Sequence, residues 1–167
     1  MVRVKVYIIL VLCGAITILF ASVHPVIFAQ EAIGESALKD VFPEAESFEP
    51  VKSAGNILYY KAYGSGSLFI GAVFKASQKG YSSVIETMVG MKKDGAITAI
   101  KVLSQNETPG VGAKVAEQSF AGQFRGRSAQ ELNNVMAVTG ATISSRAVVD
   151  SVKNKAEEIM ALLKEQK

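Results

Sequence analysis

Three patterns of apolar and polar positions follow one another along the chain. The first is an apolar run over residues 4–23 (VKVYIILVLCGAITILFASV), which from Val6 onward is part of a stretch free of Asp, Glu, Lys and Arg that lasts to Gln30. About 20 such residues suffice to cross a hydrocarbon core as a helix, so this run predicts a transmembrane anchor. The second pattern is short and helical. Ala32, Ile33, Ala37, Leu38 and Val41 recur at helical spacing from Glu31 until Pro43 ends them. The third is strand-like. Ile57–Tyr63 leads through Gly64-Ser65-Gly66-Ser67, a flexible hairpin connection, into Leu68–Ala76. Gly80-Tyr81 opens Ser83–Met91, and Lys93-Asp94-Gly95 reads as a hairpin turn before Ala96–Leu103, which alternates with period two. Four closely spaced strands with tight turns predict an antiparallel sheet. Beyond them, Ala113–Phe120 reads as a helical turn or two and Gly122–Ser128 as a polar loop. From Ser144 onward Val148, Val152, Ile159 and Leu163 define a final helix that closes on the sheet. The expected class is α+β: one N-terminal transmembrane helix, then one domain with a mainly antiparallel sheet flanked by helices.

Charge adds an orientation. Arg3 and Lys5 lie at the N-terminal edge of the apolar run and no Lys or Arg follows until Lys39, whereas every acidic residue lies at Glu31 or beyond. By the positive-inside tendency the N-terminus stays cytoplasmic and the rest faces outward. This divides the chain into an anchor with its exit (1–29) and an extracytoplasmic domain (30–167). A leader cleaved after Ala29 is the competing reading, but the apolar run exceeds the usual span of a leader and His24-Pro25 interrupts it before Ala29. The net charge of +3 rests on the two N-terminal bases. Without them the outer domain is nearly neutral, which argues against nucleic acid as a partner. A charged fraction of 20% beside 49% hydrophobic residues excludes disorder. With one cysteine, the chain forms no internal disulfide and no thiolate metal cluster. Cys13 falls mid-span as a small apolar group, and His24 falls at the membrane exit as an interfacial residue.

Two segments stand out chemically. Ser104–Lys114 (SQNETPGVGAK) follows a strand and places Pro109, Gly110 and Gly112 close together, which demands a tightly bent loop. Its glycines let backbone approach a ligand, although by spacing alone it also reads as a structural turn. It lacks the spacing and the Lys-Ser/Thr ending of a Walker loop. Val138–Arg146 (VTGATISSR) gathers Thr139, Thr142, Ser144 and Ser145 at the start of the final helix, with Gly140 as a bend. A helix N-terminus suits a phosphate, and Ser and Thr are equally good caps there. Arg125, Arg127 and Arg146 read as a solvated face. Neither a catalytic triad nor a pair of carboxylates is apparent.

Taken in order, Gly80–Ser82 (GYS), ETPGxGxK from Glu107, and TGAT from Thr139 followed by Ser144-Ser145 resemble a known family. They look like the FMN-binding domain of the G subunit of the Rnf electron-transport complex, a domain shared with the C subunit of the sodium-translocating NADH:quinone oxidoreductase. The resemblance covers most of the chain and implies an electron-carrying flavoprotein subunit that is not a complete enzyme alone. It implies FMN joined by a phosphoester to Thr142, with Thr139, Gly140 and Ala141 filling the rest of the motif. It implies the ester phosphate near Ser144 and Ser145, and a loop of Glu107, Thr108, Gly110 and Gly112 bordering the flavin through backbone contacts. It further implies partners: the other membrane subunits, and a flavin transferase that uses FAD as donor. The transferase pattern often carries an acid six positions before the modified threonine, where this chain has Met136. The resemblance leaves open a component of the quinone-reducing complex instead. A reading from a different class is a non-redox ligand-binding or assembly module in which TGATISS only caps a helix.

Overall fold

In the computed structural model, residues 33–165 are described. The expected anchor, Cys13 and His24 lie outside them. Among the described residues no helix is long and apolar enough to cross a membrane.

The expected α+β class is present. Helix α1 (Glu35–Val41) is followed by five strands: β1 (Ser47–Ser53), β2 (Asn56–Gly64), β3 (Leu68–Lys79), β4 (Val84–Lys92) and β5 (Ile97–Ser104). They form one sheet in the order β1-β2-β3-β4-β5, with every neighbouring pair antiparallel. The sheet is therefore a meander built from consecutive hairpins. Four strands fall within a few residues of the period-two segments, and β1 is an addition. Its sequence SFEPVKS is mostly exposed and contains Pro50, so neither alternation nor β-propensity marks it. As an edge strand it pairs with β2 alone, which is where a residue lacking an N–H is tolerated.

The sheet is covered on both faces. On one, α1 and the residue after it place Leu38, Val41 and Phe42 against Tyr60, Ala62, Val73 and Met88. This packing needs a bare backbone beneath the helix. A Cβ on Gly90 would collide with the Val41 carbonyl and the Thr98 hydroxyl, which bond to each other. On the other face the larger core holds Phe74, Ile85, Val89 and Met91 of the sheet under Val148, Val152, Ala156 and Ile159 of the C-terminal helix (Thr142–Glu165). That helix begins at Thr142, two residues before the start its apolar spacing marks.

Between β5 and the C-terminal helix the chain runs through short turns. The expected helix over Ala113–Phe120 is split into a 3-10 turn, Gly112–Ala116, and a single α turn, α2 (Gln118–Ala121), which makes the C-terminal helix α3. The segment Gly122–Ser128, read as a polar loop, in fact drives Phe124 into the core, edge-on to Phe120 at 5.5 Å. The start of β5 fixes it, because the Ile97 N–H donates to the Arg127 carbonyl and the Ile97 carbonyl accepts from the Gly126 N–H. Arg127 is thus half-buried, its Nε on the Gln123 carbonyl, while Arg125 and Arg146 are exposed.

Candidate functional site

The two segments singled out by sequence meet at one end of the sheet. The β3–β4 turn, Gly80–Ser83, and the loop after β5 close over the N-terminus of α3, leaving a cleft of ≈300 Å³. Its walls come from Tyr81, from Thr108, Val111 and Gly112, and from the run Gly140–Ser144. The volume is at the lower end of the range for small-molecule sites. Of the residues expected there, Thr108, Gly112, Gly140, Ala141, Thr142 and Ser144 line the cleft. Thr139, Gly110, Ser145 and Glu107 do not.

Thr142 is the first residue of α3 and is exposed. The approach is a turn in which the Ala141 N–H returns to the Val138 carbonyl and Gly140 takes φ 80°, in the left-handed region where a side chain is strained. The first helical amide returned to a carbonyl is that of Ser145, onto Ala141. The amides of Thr142, Ile143 and Ser144 are therefore those a helix leaves open, at the positive end of its dipole.

The two serines after the motif point the other way. Both are buried. The Ser145 hydroxyl accepts from the Val138 N–H at 3.0 Å and so ties the helix to the extended segment before it. The Ser144 hydroxyl donates to Glu107 Oε2 at 2.6 Å.

Glu107 is the residue whose part the sequence least revealed. It is 5% exposed, and its carboxylate collects donors from two segments far apart in sequence. Oε1 accepts from the Ser82 N–H (3.0 Å), the Ser83 N–H (2.8 Å) and the Ser83 hydroxyl (3.1 Å). Oε2 accepts from the Tyr81 N–H (3.1 Å) and the Ser144 hydroxyl. Burial alone pushes its pKa up, but the Ser144 hydroxyl and the Ser83 and Ser82 donors outweigh it and hold the carboxyl down at about 2. Glycines make room on both sides: a Cβ on Gly80 would lie 2.9 Å from Oε1, and one on Gly112 would lie 3.0 Å from Oε2. The signal in the sequence is a lone acid between two glycine-bearing turns, but nothing in it shows that the GYS turn supplies the donors.

The cleft has an apolar rim. Tyr81 is 69% exposed, Ile143 56% and Val111 40%, and all three line it. A flat, largely apolar ring system is the kind of ligand that would cover them, while an anionic group could meet the open amides of α3. FMN is compatible with this geometry: the exposed side chains of the rim could cover a ring, and the exposed Thr142 and the open amides beside it could meet an anionic group. Among the described residues no cluster of His, Cys, Asp and Glu could hold a metal.

Sheet, helix cover and cleft together define an α+β domain with a small-molecule cleft at one end of its sheet, and residues 80–157 match the family model for the FMN-binding domain. The chain belongs to the family of G subunits of ion-translocating oxidoreductase complexes. It is 34% identical to the G subunit of the ion-translocating oxidoreductase complex of Methanosarcina acetivorans, over 76% of this chain and 75% of that one. It is 34% identical to the G subunit of the proton-translocating ferredoxin:NAD(+) oxidoreductase complex of Clostridium ljungdahlii, over 78% and 74%. In fold it is similar to the crystal structure of NqrC from Shewanella oneidensis, with a TM-score of 0.58 and 18% identity over 81% of this chain and 78% of that one.

Proposed function

We propose that this chain is the flavin-carrying, electron-transferring subunit of a membrane-bound, ion-translocating ferredoxin:NAD⁺ oxidoreductase complex of the Rnf type, with FMN held covalently through a phosphoester to Thr142. The observation that carries the reading is the exposed Thr142 hydroxyl at the first residue of α3, inside a cleft whose rim is apolar. Family membership supports the flavin and the complex. The bound flavin supplies reversible uptake of electrons, and the chain supplies the seat. The open amides of α3 meet the negative charge of the ester phosphate. Gly140 and Ala141 turn the backbone so that Thr142 faces the cleft, with Thr139 on the exposed outer side of that turn. Thr108, Gly110 and Gly112 bend the facing loop, and Tyr81, Val111 and Ile143 shield the ring from water.

In this reading residues 1–29 anchor the chain in the cell membrane with the N-terminus cytoplasmic, and the domain stands on the outer side. Its partners are the other membrane subunits and a flavin transferase. Met136, 72% exposed, stands where that transferase's pattern has an acid, in a position an enzyme can reach. The fold likeness to NqrC favours one variant reading, the corresponding component of a sodium-translocating NADH:quinone oxidoreductase, which uses the same cleft. The test is co-expression with a flavin transferase, denaturation, and inspection of the gel for flavin fluorescence. The band should fluoresce, Thr142→Ala should abolish it, and the peptide containing Thr142 should gain the mass of FMN. Loss of flavin on denaturation of the wild-type chain would sink the covalent reading. The subunits that co-purify decide between the two complexes.

A further inference from the structure

Three of the segments that wall the cleft touch one side chain. Tyr81 reaches Glu107 by its N–H and Ser144 by its hydroxyl, while Gly112 packs against the carboxylate with no Cβ between. These segments belong to the β3–β4 turn, the start of α3 and the loop after β5. The donors around the carboxylate are amides and hydroxyls, which solvate its charge without cancelling it. The cleft thus has a fixed, buried negative charge in its wall, separated from the interior of the cleft by one glycine and one serine. A buried unit charge, at 5% exposure, is felt far more strongly than one in solvent.

We propose that Glu107 is a positioning residue that fixes the three walls of the cleft in register and sets the redox poise of the flavin through its buried negative charge. The proposal rests on the reading that flavin occupies this cleft. Uptake of two electrons from a low-potential donor and one proton from water leaves the ring system with one net negative charge. A carboxylate behind the wall opposes that gain of charge, so it lowers the potential at which the flavin is reduced. The Ser144 hydroxyl donates to Oε2 and holds the carboxylate against the start of α3, so its part is placement. Removing the carboxylate's charge and keeping that charge on a shorter side chain should therefore differ in effect.

The test uses the full chain, co-expressed with a flavin transferase and purified with its flavin, with the midpoint potential read by spectroelectrochemical titration. Glu107→Gln should move the potential in the positive direction. Glu107→Asp, which keeps the negative charge while slackening the contacts, should leave it close to the wild-type value. That difference separates an electrostatic role from loosening, which would move both variants alike. An unchanged potential in a folded, flavin-loaded Glu107→Gln protein overturns the proposal, as do equal shifts in the two variants. Should Glu107→Gln not fold, Glu107→Asp decides alone: a potential close to the wild-type value supports the proposal, and a large shift in either direction overturns it. If denaturation strips the flavin, the covalent link at Thr142 fails, yet the potentials of the bound flavin still read the role of Glu107.

Discussion

At the scale of single residues, Glu107 stands out as a buried carboxylate used to join segments. By accepting from the amides of Tyr81, Ser82 and Ser83 it satisfies three donors of one turn at once. Glu107→Ala should therefore cost about 3 kcal/mol or more, because five hydrogen bonds to one buried charged group are lost together. A lower urea midpoint with an unchanged slope would register it. The same residue gives stability a dependence on pH. Its carboxyl is held at about 2 in the folded state against an ordinary 4.5, so the folded state binds the proton less readily than the unfolded chain. Its stabilisation is complete above about pH 4.5 and drains away as pH falls towards 2. Urea midpoints measured across this acid range, from neutral pH downward, should fall in the wild type, and Glu107→Gln should flatten that fall.

At the scale of elements, legibility followed side-chain periodicity and failed where contacts between segments decide. Strands β2 to β5 were readable because alternating apolar residues sit between Gly-Ser and Asp-Gly turns, and α3 because Val148, Val152 and Ile159 share a face. Strand β1 was not, since Ser47–Ser53 gains its place from backbone pairing with β2 and from the bulge at Val51/Lys52 rather than from buried side chains. Phe124 was hidden among polar neighbours in a loop that only the pairing with Ile97 pulls inward. The site was half legible. Gly140–Thr142 and the glycine loop announced themselves, whereas the inward turn of Ser144 and Ser145 depends on where Glu107 and Val138 lie. Helix α1 also has a condition that no periodicity displays. Gly90→Ala would push a methyl group into the Val41 carbonyl and the Thr98 hydroxyl, with backbone on one side unable to yield. A loss of about 2 kcal/mol is expected from overpacking, visible as a drop in the thermal midpoint. Because α1 lies on the opposite face of the sheet from α3, flavin fluorescence of the surviving folded fraction should be unchanged.

At the scale of the whole molecule, the apolar side chains of the two cores and those of the cleft rim are separate sets. The two cores lie on either face of the sheet, while Tyr81, Val111 and Ile143 stand exposed at one end. Replacing Ile143 or Val111 with Ser should leave stability within about 0.5 kcal/mol, as for other surface changes. The same replacements should change the fluorescence of bound flavin by admitting water to it. A loss of stability in Ile143→Ser as large as that of a core truncation would show that the rim belongs to the core after all. The meander has a consequence of its own for the order of assembly. Every strand pairs with the one made just before it, so the whole platform through Ser104 can be complete while later residues are still being synthesised. Glu107 follows shortly beyond that point, and Thr142 belongs to the last of the described elements. The threonine is thus presented in its final setting only once α3 docks, so the cleft is the last part of the domain to be completed and its presence reports that the rest has folded.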